Sequence, residues 1–435
     1  MFNKLVNQSA NVEIVLDSGT YLLDSLVISR HNIILDGNGS VLTTGKSGAS
    51  PFLILIKGRN VTFRNFNMVF ADPRRGDGIR IYDTKDVLIE HCRISGYTGK
   101  GIDIVYSGNV HVDKCNVASC LHGIQFWGGD AGKAPAPSSG VSGIRITGNE
   151  VKNIRKGGIW GSLGRDVEIT GNHVSNCGDV GIDLERCDSS VIKYNNISGC
   201  KNGCITFFYG CRTVVVQDNV IQQQGVRGPG IKFYGSASLH NNIELSANRI
   251  SGDHMSAIAF DARSANRIRI LNNTIAGRFS GAVKAIDCND IVIQSNIVKL
   301  VNSSIAIDNE GGSRWRISGN ELLNTAEKMN PASGQINIGI RNYWRSAVFN
   351  NSENTVSDNK ISGFTASVLE DSWGNMSASS NRYYGNVLES FYDNLRKKSD
   401  ARIGERNEIR RSSGKRYDQS KIIKMQNGSS FKNYK

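Results

Sequence analysis

Proline is scarce in this sequence, 6 in 435 residues, while glycine is abundant at 47. A chain rich in turns but poor in Pro suits tight corners repeated many times. Long apolar runs are missing too. The longest, Phe52-Leu53-Ile54-Leu55-Ile56, is far short of the roughly 18 residues that cross a bilayer as a helix, so no membrane span is expected. The opening stretch, MFNKLVNQSANVEIVLD, has no apolar core of a secretory signal peptide. The 9 cysteines include no Cys-x-x-Cys pair, which argues against a zinc site. Reduced cysteines suit the cytoplasm or a virion better than a secreted protein, and that setting is the expectation here.

Charge is unevenly placed. The segment from Arg396 to Lys435 holds 13 Lys/Arg and 4 Asp/Glu, so nine of the 13 net positive charges sit there and four are left for residues 1–395. The body is therefore only mildly basic, and nucleic acid is not the expected partner. The tail, residues 395–435, has few apolar groups and many charges, and reads as poorly ordered. Residues 1–10 read as a short cap, and residues 11–394 as one long repeat domain.

One pattern recurs: apolar, x, apolar, x, x, Asn, x, apolar. It reads IRITGNEV ending at Val151, VEITGNHV at Val174, IVIQSNIV at Val298, WRISGNEL at Leu322 and NTVSDNKI at Ile361. The Asn column runs Asn149, Asn172, Asn195, Asn219, Asn248, Asn273, Asn296, Asn320, Asn359 and Asn381, with Phe66, Cys92 and Cys115 in earlier copies. Alternating apolar residues make a strand with one buried face. A period near 23 residues lets each strand stack on the next, about 4.8 Å away. Asn tolerates left-handed backbone and turns the corner, and its amide can hydrogen-bond along the stack. No 3.6-residue pattern runs through the repeats, which excludes an α-solenoid, and regular Leu columns are absent. The fold class is all-β, a single-stranded right-handed parallel β-helix of about 12–14 turns. The cysteines fall into columns as well, Cys92 with Cys115, and Cys120 with Cys177 and Cys200, as small core residues would.

A second strand in each copy usually opens Gly-Ile, as in Gly78-Ile79, Gly101-Ile102, Gly123-Ile124, Gly181-Ile182 and Gly230-Ile231. The Ile and the next apolar residue point inward, and the residues between point outward. One outward row reads Arg80, Asp103, Gln125, Trp160, Asp183, Thr206, Lys232. The other reads Tyr82, Val105, Trp127, Ser162, Glu185, Phe208, Tyr234, Asp261, with Arg263 extending it. Aromatics beside carboxylates and amides are what a sugar ring needs: an apolar face and partners for its hydroxyls. A polysaccharide is therefore the expected partner. Arg80, Tyr82, Asp103, Gln125, Trp127, Trp160, Tyr234, Asp261 and Arg263 are the candidate binding residues. Two insertions break the period, Gly128 to Gly143 and Lys328 to Asn350. The first leaves the strand just after Trp127 and could wall a groove.

Asp183 and Glu185 stand two apart on one strand, their Cβ atoms roughly 6.5–7 Å apart, near the spacing of paired glycosidase carboxylates. Trp160 lies one turn before them and could raise one carboxyl pKa. Arg186 is a ready ion-pair partner that would make both mere surface charges. His122 and Lys232 are the other catalytic candidates, as acid/base groups for a lyase or an epimerase. No cofactor is expected. Calcium stays open, since its ligands can come from scattered carboxylates such as Asp308 and Glu310.

The opening turns, Val12 to Leu23 and Asn32 to Thr43, resemble the entry of pectin-lyase-like β-helices. Gly101-Ile102-Asp103-Ile104 and Gly158-Ile159-Trp160-Gly161-Ser162-Leu163-Gly164 are similar to stretches of polygalacturonases. That family's catalytic positions are not kept: Lys100, Leu121-His122 and Gly157 replace its acids and histidine. Asp72-Pro73-Arg74-Arg75 only partly matches the Asp-Pro-His-Asp signature of mannuronan epimerases. The resemblance implies the wider superfamily of polysaccharide hydrolases, lyases, epimerases and phage tailspike depolymerases. The expected activity is cleavage of a polysaccharide by hydrolysis or elimination. C5-epimerisation of an acidic polymer and carbohydrate binding without catalysis, as in a fibre or adhesin, are the alternatives. A homotrimer would be in keeping with a tailspike.

Overall fold

A computed structural model describes residues 6–7, 11–44, 50–133, 140–235, 237–254, 258–325, 337–344, 351–372, 381–388, 391–393, 402–403 and 408–409. The basic tail beyond 409 lies outside the described residues, as do 134–139 of the first insertion and 328–336 and 345–350 of the second. Two short strands, Arg402–Ile403 and Glu408–Ile409, pair with Arg382–Tyr384 and Val387–Leu388.

The chain divides into two units, residues 1–244 and 245–435. Each is a parallel β-solenoid, in which a turn contributes one strand to each of three sheets. In the first unit Val141–Thr147 belongs to the first sheet, Glu150–Ile154 to the second and Ile159–Ser162 to the third. The next turn repeats this with Gly164–Thr170, His173–Cys177 and Val180–Glu185. Neighbouring strands run parallel and in register, so like residues stack. Ile124, Ile159, Ile182 and Ile205 form one buried column in the third sheet. Val117, Val151, Val174 and Ile197 form another in the second. In the second unit, Ile250, Ile275, Val298, Leu322 and Ile361 do the same. The core is thus a bundle of apolar columns, each residue burying its side chain against those one turn away.

The Asn column is a hydrogen-bond ladder. Asn172 sends its backbone N–H and its amide N–H to Asn195 Oδ1 (2.9 and 3.0 Å), and its amide also to the Ile146 carbonyl (2.8 Å). Asn149 and Asn195 repeat the arrangement, donating to Asn172 and Asn219, and the Cys115 N–H donates into Asn149. These side chains are buried, so each bond forms away from water. Asn is not the residue that takes the left-handed turn, as expected above. That conformation falls on the residue before it, Gly148, Gly171, Tyr194 and Asp218. The Asn supplies hydrogen bonds, and its predecessor supplies the bend. At the far end the column continues from Asn359 to Asn386, not to Asn381. Asn381 belongs to a second ladder with Asn354 and also donates to buried Glu370.

All nine cysteines are free and buried. Val6 is buried at the N-terminal end, and Asn7 donates to the Val27 carbonyl at 2.6 Å.

Gly161 shows how tight the stack is. A Cβ built there would lie 1.7 Å from Phe126 Cζ, because the Phe126 ring occupies the space above it. Gly161→Ala is expected to cost about 2–3 kcal/mol by overpacking. Phe126→Leu in the same chain should recover part of it. Urea unfolding of the full chain checks both, and an unchanged midpoint in the single variant would show that the ring simply moves aside.

Candidate functional site

The third sheet of the first unit carries the two outward rows. Arg80, Asp103, Gln125, Trp160, Asp183, Thr206 and Lys232 are register partners strand by strand. Tyr82, Val105, Trp127, Ser162, Glu185 and Phe208 form the second row beside them. Pointing outward does not leave these groups open to water. Asp103, Gln125, Asp183 and Thr206 are all buried. Long side chains from adjacent turns close over the short ones.

At the centre, Thr206 Oγ1 donates to Asp183 Oδ1 at 2.7 Å. The Trp160 indole N–H donates to Glu185 Oε1 at 3.1 Å. Burial pushes the Asp183 pKa well above the usual carboxylate range, and the Glu185 charge adds to the shift. Glu185 is half-buried, and burial raises its pKa too, with Asp130 contributing. Arg186 does not neutralise the pair. Its guanidinium donates to the carbonyls of Lys133 (2.9 Å) and Tyr209 (3.4 Å).

His122 packs on Trp160 with ring centroids 5.5 Å apart. Burial, helped by the charges of Lys100 and Lys156, lowers its pKa to about 4, so the ring is neutral near pH 7. Its Nδ1 is buried without a hydrogen-bond partner among the described residues. On the two preceding turns, Arg80 pairs with Asp77 and lies 3.2 Å from Asp103, while Lys100 lies 3.7 Å from Asp103. Burial raises the Asp103 pKa to about 6 despite these cations.

Aromatic rings lie on both sides of the carboxyl pair along the sheet. Tyr106 links Tyr82 (6.4 Å) to Trp127 (5.4 Å). Phe208 stacks on Tyr234 at 4.0 Å, and Lys232 Nζ lies 4.1 Å from the Tyr234 ring centroid. Tyr106 and Tyr209 were not in the sequence rows. Each directly follows a row residue, at the left-handed corner after the strand. Extending the rows by one position would have exposed this corner column.

The described part of the first insertion, residues 128–133, runs beside the carboxyl pair. Ser162 Oγ donates to the Gly129 carbonyl at 2.6 Å, and Ala131 is fully buried.

Asp261 and Arg263 lie in the second unit, on the strand Ile258–Arg263. Asp261 is in register with Lys284, and Lys284 with Asp308 and then Arg341. Arg341 clasps Asp308 through two bonds (2.7 and 2.8 Å) and Glu310 through a third (2.7 Å). Lys284 also pairs with Glu310 at 3.2 Å. Asp308 and Glu310 are thus held by cationic side chains rather than grouped as calcium ligands. Among the described residues, no group of three or more His, Cys, Asp or Glu is placed to hold a metal ion.

The raised pKa values of Asp103 and Asp183 predict how stability varies with pH. In the unfolded chain both ionise near pH 4, while the folded chain keeps their protons to higher pH. Above that pH the unfolded state gains, so stability falls as pH rises from about 4, through about 6 for Asp103. Asp183→Asn keeps an acceptor for Thr206 and removes its share of this loss. We expect it to melt about 2–4 °C above the parent at pH 8 and level with it at pH 4, by calorimetry. A lower melting point at pH 8 would mean that Asp183 is ionised and held by partners.

A family model described as a periplasmic copper-binding protein (NosD) matches residues 52–237, the stretch that contains this face. Among solved structures, the surface adhesin PfbA of Streptococcus pneumoniae is similar at 13% identity, TM-score 0.53, over 73% of this chain and 87% of its own. DFA-IIIase from Arthrobacter chlorophenolicus A6, without its lid and in complex with GF2, is similar at 13% identity, TM-score 0.51, over 76% and 93%. The chain is a right-handed parallel β-helix protein. No curated protein sequence matches it.

These matches overturn the expected cytoplasmic or virion setting, since the matching family is described as periplasmic. The cysteines misled because their reduced state follows from burial. They are core-filling side chains in columns, and such thiols are inert in any compartment. The copper in that family's description is not accommodated by the described residues, whose thiols point into the core and form no such metal-holding group. Among the described residues no helix is long and apolar enough to cross a membrane.

Proposed function

We propose that this protein binds a polysaccharide along the outer face of the third sheet of its first unit and hydrolyses it with Asp183 and Glu185. The observation that carries this is the pair itself: Asp183 buried on the strand, and Glu185 two residues on holding the Trp160 indole N–H. Outward residues two apart on one strand have Cβ atoms roughly 6.5–7 Å apart, near the spacing of paired glycosidase carboxylates, and the retaining arrangement is the one proposed. Their environments differ, which divides the roles. Asp183, fully buried, keeps its proton and protonates the glycosidic oxygen as the bond to the anomeric carbon breaks. Glu185, more open, attacks that carbon and forms a glycosyl ester. Water then attacks the anomeric carbon, gives its proton to the Asp183 carboxylate and displaces the Glu185 carboxylate. The likeness to a DFA-IIIase solved with GF2 and to a surface adhesin supports a carbohydrate-related role.

A second reading is binding without catalysis, and the burial of Asp183 favours it. At 3% exposure, the acid must be uncovered before it can reach a glycosidic oxygen.

The test is product formation on acidic and neutral polysaccharides, read by new reducing ends and ultraviolet absorbance together. New ends without absorbance are the expected result. New ends with absorbance would make the reaction an elimination and replace this pair with His122 and Lys232. Binding with no product on any polymer would leave the adhesin-like reading.

A further inference from the structure

The corner that carries Tyr234 into the next turn is held by a histidine. His240 opens the strand His240–Ser246 and is fully buried. Its Nδ1 accepts the Cys211 N–H at 3.2 Å, and its Nε2 lies 3.0 Å from the Tyr234 carbonyl. A backbone N–H can only donate and a carbonyl can only accept, so the proton sits on Nε2 and the ring is neutral. At the matching corner of other turns, the first of these bonds is made by groups that gain no charge. The Thr84 N–H donates to the Ser107 hydroxyl, and the Gly164 N–H to the Cys187 thiol. At His240 the same role falls to a side chain that titrates near neutral pH.

Protonation cannot be absorbed in place. A second ring proton would face the Cys211 N–H, donor against donor. The charge would lie among Phe207 and Phe233, whose ring centroids are 6.4 and 5.5 Å away. The titratable groups on the elements packed around the ring bring no relief. The Cys211 thiol stays protonated, burial pushing its pKa up to about 12. Lys232 lies over the Tyr234 ring, Arg212 is exposed, and Glu244 points away from the core on His240's own strand. Burial lowers the His240 pKa, opposed by the hydrogen bond to the Tyr234 carbonyl.

We propose that His240 is an acid-operated latch: on taking a proton it lets go of Cys211 and Tyr234, and the corner between Tyr234 and His240 opens. Tyr234 stacks on Phe208 at 4.0 Å, so opening removes one end of the aromatic face while the turns before it stay stacked. The open corner takes up a proton below the ordinary histidine pKa of about 6.5, and the closed one does not. Closure is therefore full above that pH and weakens as pH falls.

The test is hydrogen exchange read by mass spectrometry on the full chain at pH 7.5 and pH 5, comparing peptides that cover the corner, 231–243, and the Asn ladder, 172–195. His240→Asn offers Cys211 an amide oxygen, as the ladder does, and His240→Gln offers Tyr234 an amide N–H. Neither side chain titrates. At pH 7.5 the corner should be protected alike in the parent and in at least one variant. At pH 5 it should exchange about tenfold faster in the parent than in that variant, with the ladder peptide unchanged between them. Comparison at one pH cancels the intrinsic chemistry of exchange. If both variants leave the corner open at pH 7.5, the parent alone decides: exchange of the corner relative to the ladder must rise about tenfold from pH 7.5 to pH 5. Equal protection of the corner at pH 5 in parent and variants would overturn the latch, because the ring then never takes the proton. Equal loosening of corner and ladder would overturn it too, because acid then melts the whole unit.

Discussion

Asn195→Asp is expected to unfold the first unit at neutral pH. Asn195 is 1% exposed and fully used. Its Oδ1 accepts two N–H groups from Asn172, at 2.9 and 3.0 Å. Its amide donates to the Ile169 carbonyl (2.9 Å) and to Asn219 Oδ1 (3.0 Å). An aspartate presents an oxygen where that amide donated. Two acceptor pairs then face each other around a buried charge. The loss is about 5 kcal/mol or more, comparable to the whole stability of many domains. Asn195→Ala removes the same bonds without adding charge, and should cost about 3 kcal/mol. Acid should rescue only the Asp variant, because a protonated Asp regains one donor. Circular dichroism melts at pH 4 and pH 7 give the comparison. If Asn195→Asp melts like the parent at pH 7, the ladder contributes little and the apolar columns alone hold the turns together.

Glu185→Gln is expected to lower kcat by about 10³-fold or more while KM stays within about threefold, on whichever polymer the parent cuts. Gln keeps an oxygen for the Trp160 N–H and the shape of the side chain, so the fold and binding face survive. What disappears is the carboxylate that would attack the anomeric carbon. Asp183→Asn should lower kcat comparably for leaving groups that need a proton, and much less for activated aryl leaving groups that do not. Its pH profile should lose the alkaline limb, since that limb reports the loss of the Asp183 proton. Full activity in both variants would remove the pair from the chemistry and turn attention to His122, whose neutral ring lies against Trp160.

The sequence by itself determined the architecture, because the information is periodic and local. Alternation sets which side chains point inward, as with Ile182 and Leu184 against Asp183 and Glu185. The 23-residue period sets which residues stack, so Ile159 and Ile182, one period apart, share a column. It also placed Trp160 one turn before Asp183, where the structure has it. The period slips where its spacing slips. Asn381 looked like the end of the main ladder, yet Asn386 holds that place, because a strand's register decides the partner and not the count of residues.

The tertiary structure decided what each outward group experiences. Whether Asp183 is solvated depends on Thr206 and Trp160, each about one period away in sequence, and on how far their side chains reach. Arg186 looked like a natural partner for its neighbouring carboxylates. It turns instead to a carbonyl of the first insertion, an interaction 53 residues away in sequence that no local pattern encodes. The path of that insertion, the corner rings Tyr106 and Tyr209, and the clasp of Arg341 on Asp308 and Glu310 arise in the same way. Repetition fixes backbone position turn by turn. Burial and partnership depend on side-chain length and on the segments that break the repeat, and these exist only once the turns are stacked.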